Sequence, residues 1–368
     1  MTTKLLALLL ASTSLLGCTD GDNDVGPDQV AKDGPDDGRS PELGGKPSTV
    51  FASNISMADA LAQAAGTGPV IEAKFELDDS GALSLSTYPI GAALELDSER
   101  SKFQELAGDP TAASWQPALE AFHDVEHLTV SSRDLTLVQL AKTSIADVVA
   151  QESSRGFVYW AIPTVHGGRA GYGVFAVNAA HIDTYRFVDG SGEAISQVLD
   201  LGADPGTGAT DARGPELGDD VTVARTSKIT MAAALAQAEA ASGPTIEAKF
   251  ELGDDGKLSL SVYPASDMTK PAQENTFVEL AGDPTATAWS PGSETFDVPD
   301  EEHLTRAARD LTLVQTAKLS LRDAVAKADA KFPGGFVYWA IPTRRGTQSG
   351  YGIYVLDAQN VTHYLFVS

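Results

Sequence analysis

The chain has 368 residues, 51 acidic against 26 basic side chains, and a formal net charge of −25. Such an acidic balance argues against nucleic acid as a partner, since phosphate backbones demand a basic surface. A single cysteine in the whole chain excludes an internal disulfide framework.

The N-terminus reads MTTKLLALLLASTSLLGCTD: one cation, Lys4, then an apolar run from Leu5 to Leu16, then Gly17 and Cys18. The run is shorter than the ~20 residues that span a bilayer and has the form of a secretory h-region. Residues 1–17 are therefore expected to be a signal peptide. Leu15-Leu16-Gly17-Cys18 resembles the lipobox of bacterial lipoproteins. That resemblance implies cleavage before Cys18, a thioether to diacylglycerol on its sulfur and acylation, with palmitate for example, of the new amine. Cys18 has no internal thiol to pair with, which fits lipidation. Two or more acyl chains anchor a protein stably, so membrane lipid is the first expected partner. The expected address is the bacterial cell envelope, at the outer membrane or periplasmic face rather than the inner membrane.

Residues 18–47 are rich in Asp, Gly and Pro and offer little to bury. They are expected to form a disordered acidic tether. Asp20, Asp22 and Asp24 resemble the opening of a calcium loop, but Val25 stands where its glycine would be and no Glu closes it.

From there the chain is written twice. IEAKFEL begins at Ile71 and Ile246, AGDPTA at Ala107 and Ala281, EHLT at Glu126 and Glu302, RDLTLVQ at Arg133 and Arg309, and GFVYWAIPT at Gly156 and Gly335. A tryptophan follows each AGDPTA (Trp115, Trp289), and a Gly-Tyr-Gly follows each GFVYWAIPT (Tyr172, Tyr351). Within each copy a fainter repeat recurs. Ser56, Ser144, Thr230 and Ser320, spaced 86 to 90 residues apart, each open an Ala-rich helical run. Three of the four carry Asp three residues on, the pattern of a capping box. Strand-like triplets precede these caps at Ser48-Thr49-Val50, Thr136-Leu137-Val138, Thr222-Val223-Ala224 and Thr312-Leu313-Val314. Val70–Leu77 and Ala82–Tyr88 flank Asp78-Asp79-Ser80-Gly81, a hairpin by its turn chemistry. Phe157–Ile162, Tyr172–Val177 and Thr184–Val188 read as further strands.

The pattern predicts an α+β fold: two tandem duplicated domains, each of two modules with one helix packed on an antiparallel sheet. The expected domains are residues 48–195 and 221–368, with a linker over 196–220.

A capped Ala-rich helix, a Gly-Pro break and strands ending in Val188-Asp189-Gly190-Ser191-Gly192-Glu193 resemble the PepSY domain. The first copy's Gly-Glu tail is one residue short of that pattern, and the second copy lacks it. PepSY domains occur in propeptides of secreted proteases and in envelope proteins, and are proposed to restrain peptidases. The paired helix-and-sheet layout is also similar to β-lactamase inhibitor protein, which binds its enzyme with a concave sheet face. The resemblance implies a non-catalytic binding or inhibitory module whose partner is an envelope or secreted protein, a peptidase among the candidates. A structural scaffold without a ligand site is the alternative.

Chemistry-bearing motifs are sparse. There is no GxSxG elbow, no HExxH and no His-rich cluster, so no catalytic residue, metal ligand or cofactor is expected. Glu126 and His127, read as part of a strand, would point to opposite faces. GFVYWAIPT, read as a strand, places Phe157, Tyr159 and Ala161 on one face and Val158, Trp160 and Ile162 on the other, both apolar. One face takes the helix. The other either packs as internal core, the reading favoured by its apolar character, or displays Tyr159, Trp160, Tyr172, Tyr338, Trp339 and Tyr351 to a partner.

Overall fold

All four residues expected to cap a helix do so. In the computed structural model, Ser56, Ser144, Thr230 and Ser320 have extended backbones, and each side chain accepts the N–H three residues on. They open α1 (Met57–Ala64), α3 (Ile145–Glu152), α4 (Met231–Ser242) and α6 (Leu321–Lys331). Where an Asp stands at the third position the serine hydroxyl also donates to its carboxylate, at 2.7 Å from Ser144 to Asp147. Ser144→Ala is expected to lower the unfolding free energy by about 1 kcal/mol in urea titration.

The structure describes residues 38–78, 80–91, 102–190, 213–217, 221–253, 255–296 and 301–368. Cys18, the expected signal peptide and most of the expected tether and linker lie outside the described residues. No helix among the described residues is long and apolar enough to cross a membrane.

The fold is α+β, with two similar halves. The first half contains β1 (Val70–Leu77), β2 (Leu83–Pro89), β3 (Gln104–Gly108), β4 (Ala118–Ala121), β5 (Phe157–His166), β6 (Arg169–Val177) and β7 (Asp183–Asp189). They form one antiparallel sheet in the order β4-β3-β2-β1-β5-β6-β7. The second half repeats it with β8 (Thr245–Leu252), β9 (Leu258–Pro264), β10 (Val278–Gly282), β11 (Gly292–Thr295), β12 (Phe336–Arg345), β13 (Gln348–Leu356) and β14 (Thr362–Val367), ordered β11-β10-β9-β8-β12-β13-β14. The two modules of a half thus lie edge to edge and share a sheet. Their seam is β1 against β5, with Ala73 opposite Ala161 and Lys74 opposite Trp160.

Two sequence-based expectations fail at the same place. Thr136-Leu137-Val138 and Thr312-Leu313-Val314 are not strands, and neither are the EHLT segments. All belong to 16-residue helices, α2 (Val125–Leu140) and α5 (Glu301–Thr316). Pro47–Ala52 and Val221–Thr226, holding the other two triplets, are 3₁₀ turns. The β-branched residues suggested strands by propensity, but tertiary packing overrides that weak preference. Asp124 starts α2 by accepting the N–H of His127 at 3.0 Å. Nearly every residue of α2 from Leu128 to Leu140 is buried, because the helix lies between its own sheet and the other half. Such a helix shows no clean amphipathic period.

The halves meet through α2 and α5. Ser131, Ser132, Ala307 and Ala308 are small and buried there, and the Ser132 hydroxyl donates to the Thr305 carbonyl. Leu137 and Leu313, equivalent positions of the two copies, share one apolar cluster with Leu140 and Ala170.

The Gly-Tyr-Gly repeat is explained by the neighbouring edge strand. A Cβ on Gly173 would come within 2.9 Å of the Tyr185 ring, and one on Gly171 within 2.6 Å of Phe187. Gly352 and Gly350 stand in the same relation to Tyr364 and Phe366. The rings of β7 and β14 lie across the bare backbone of β6 and β13, covering what glycine leaves open. AGDPTA is equally structural. Asp109 accepts the N–H and hydroxyl of Thr111, while Gly108 leaves room for the Trp115 indole.

Candidate functional site

The six aromatic side chains considered as a partner-binding face are all buried: Tyr159, Tyr172, Tyr338 and Tyr351 at 0 %, Trp160 at 3 % and Trp339 at 2 % exposed. They form core, because α2 and α3 both pack on β5 and β6, and a bulge in the strand sets which ring meets which side. Val158 pairs with Ala176 and Trp160 with Phe175, so Tyr159 is an extra residue in a β-bulge. The bulge shifts the alternation, and Val158 and Trp160 fall on opposite faces instead of one. The second copy has the same irregularity between Val337 and Trp339. Trp160 stacks on Phe175, with ring centroids 5.0 Å apart, and Trp339 on Tyr354 at 4.9 Å. Tyr172 lies on the other face of β6 from Phe175, the face reached by Asp147 of α3.

What the sequence reading missed is polar. The Trp160 indole donates to Glu72 at 2.7 Å, deep in the sheet. The same carboxylate accepts from Arg39 at 2.9 Å, and Arg39 also reaches Asp134 of α2 with two bonds, at 2.8 and 3.1 Å. Arg133 adds a third donor to Asp134. The second copy repeats every part: Trp339 to Glu247, Arg213 to Glu247 and Asp310, and Arg309 to Asp310. Beside this network Lys74 sits between Glu42 and Glu76, and Lys249 between Glu216 and Glu251.

Burial pushes the Asp134 carboxyl up to about 7, against the pull of Arg39 and Arg133. For Glu247, burial alone would raise the carboxyl, but Arg213 and Lys249 more than offset it and hold it below the ordinary glutamate range. Tyr88 and Tyr263 are pushed far up by burial, beside Glu72 and Glu247 respectively.

Arg39 and Glu42 fall within the stretch expected to be tether, and Arg213 and Glu216 within the expected linker. The described parts of both stretches are packed. Leu43 and Leu217 are each 1 % exposed, and the Glu42 and Glu216 carbonyls accept the N–H of Leu77 and Leu252. A signal for this was present. Arg39-Ser-Pro-Glu-Leu-Gly44 and Arg213-Gly-Pro-Glu-Leu-Gly218 are a further repeat, so each structured copy begins before residues 48 and 221.

Around the network of the first half a cleft of about 350 Å³ opens between α2 and the sheet. Its charged walls are Arg39, Glu42, Glu72, Lys74, Glu126 and Asp134, and its flat walls are Tyr88, Phe122 and His127. His127, expected on a strand opposite Glu126, is the residue after it on helix α2. It stacks on Phe122 at 4.6 Å, and its Nδ1 lies 2.8 Å from both oxygens of Asp124. The matching space in the second half, lined by Glu247, Lys249, Tyr263, Phe296, His303 and Asp310, is only about 20 Å³. Among the described residues no three His, Cys, Asp or Glu side chains are grouped to hold a metal.

Comparison with protein-family models, with curated proteins and with solved structures finds no match for this chain.

Proposed function

We propose that this chain is a lipid-anchored protein of a bacterial envelope, held by an acylated Cys18, whose first half binds a partner without catalysing a reaction on it. The observation that carries the reading is the unequal pair of clefts. The same charged network is built twice, yet the space beside it is about 350 Å³ in one half and about 20 Å³ in the other. A volume of the first size lies within the range of ligand sites. The duplicated PepSY-like pattern favours a protein partner, an inhibited peptidase among the candidates. The ionisable groups at the floor of the cleft are tied to one another, Arg39 to Glu72 and Asp134 and Lys74 to Glu42, which suits recognition better than proton transfer.

The burial of the six rings favours a second reading, a scaffold without a ligand site. One experiment separates the two. The detergent-extracted full chain is used to capture partners from envelope extract, beside a Val130→Arg variant that narrows the first cleft. Binding through the cleft predicts a partner retained by the parent chain and lost from the variant, whereas equal capture supports the scaffold. Cys18→Ser is expected to leave the membrane fraction and to take up no labelled fatty acid. Continued labelling would overturn the anchor.

A further inference from the structure

We infer that the cleft of the first half accepts a guanidinium group, the arginine side chain of a partner protein. The inference rests on the reading of that cleft as a binding site and adds the chemistry of its occupant.

The second half supplies the argument, because there the chain brings its own guanidinium to the site. Four walls of the two clefts match, Glu72 with Glu247, Lys74 with Lys249, Tyr88 with Tyr263 and Phe122 with Phe296, and Glu42 and Glu126 of the open cleft have sequence counterparts in Glu216 and Glu302. Position 130 breaks the match, being valine in the first copy and Arg306 in the second. Arg306 lines the small second cleft and donates to Glu302 at 2.9 Å. Its charge also acts on Glu216 and Glu247. In the first half Val130 is too short to do any of this, and among the described residues the Glu126 carboxylate has no partner.

Charge and shape select the same ligand. The walls of the open cleft carry two cations, Arg39 and Lys74, and four carboxylates, Glu42, Glu72, Glu126 and Asp134. Both cations are already held in ion pairs. The excess is negative, and one incoming cation reduces it. The walls at Tyr88, Phe122 and His127 are flat rings, against which a planar guanidinium stacks while still reaching carboxylates with its fork of donors. An ammonium group offers neither the plane nor the fork.

The test uses the full chain in detergent and follows the indole N–H resonances of Trp160 and Trp339 during titration with N-acetyl-arginine amide. The expected result is a saturable shift of the Trp160 signal alone, with a smaller response to N-acetyl-lysine amide at equal concentration. Val130→Arg should abolish the Trp160 shift by filling the cleft from within. Arg306→Val should add a saturable shift at Trp339. The second variant keeps the test decisive should the first disturb folding. A parent chain and an Arg306→Val variant that both ignore the capped arginine overturn the inference, as does a Val130→Arg variant that still responds. Free arginine saturating well below the capped form would assign the site to the amino acid instead of a protein side chain, overturning that part. Partner capture that depends on position 130 without any arginine response would leave the cleft as a binding site and refute the guanidinium. An arginine response with capture independent of position 130 would do the reverse.

Discussion

Trp160→Ala is expected to destabilise the first half by about 3–5 kcal/mol, and Trp339→Ala the second half by a similar amount. Each indole is buried, stacked on a neighbouring ring and bonded through Nε1 to a buried glutamate. Truncation opens a cavity and also removes a donor from Glu72 or Glu247, so two unfavourable effects add. Trp160→Phe separates them. It keeps a ring against Phe175 and loses the indole donor with only the small volume difference between indole and phenyl, so a smaller cost of about 1–3 kcal/mol is expected. Urea denaturation followed by circular dichroism reads both. An unchanged midpoint for Trp160→Ala would mean the ring is not the core residue described above.

Arg213→Ala is expected to cost about 3–5 kcal/mol, the usual result of removing one partner from a buried ion pair. Arg213 is 9 % exposed and bridges Glu247 and Asp310, which are 7 % and 1 % exposed. Without it, two carboxylates of α5 and β8 face each other in a nearly closed space. Arg39→Ala should cost less, because Arg39 is 18 % exposed and borders the open cleft, where water can replace part of what is lost. The double variant Arg213→Ala, Glu247→Gln should recover part of the loss, since Glu247 then carries no charge while Asp310 keeps its pairing with Arg309. The same pairing has a pH signature. Arg213 and Lys249 hold the Glu247 carboxyl below its ordinary value of 4.5. Its contribution is therefore fully present above that value and fades as pH falls through the depressed one. Arg213→Ala should flatten this acid limb. A variant that loses stability on acidification as steeply as the parent would rule out the pairing as its source.

How much of this was legible in the sequence depended on whether the signal was local. The four caps were, because a serine or threonine with Asp three residues on states its own hydrogen bond. The hairpins were, because Asp78 and Gly81 fix a turn within four residues. The α+β class followed from these, and the duplication from repeated strings such as IEAKFEL and GFVYWAIPT. Helix α2 was not legible: a helix buried on nearly all sides loses its polar face, and Thr136-Leu137-Val138 then reads as a strand. The bulge at Tyr159 was hidden too, since one extra residue leaves no mark on composition yet exchanges the faces of everything before it. The candidate site failed to emerge for a further reason. Glu72, Asp134 and Arg39 are far apart in the chain, and Arg39 sits in a stretch whose Asp, Gly and Pro content masks the Arg-x-Pro-Glu-Leu-Gly repeat.

The meeting of Leu137 with Leu313 has the form of a contact across a symmetry axis, in which like touches like. Two separate subunits encoded by one gene would have to carry the same residue at every such position. Joining them in a single polypeptide lifts that constraint. One copy can then line its cavity with an arginine, Arg306, while the other holds Val130 at the same place beside an open cleft, so that under the proposed binding role two like halves take unlike parts.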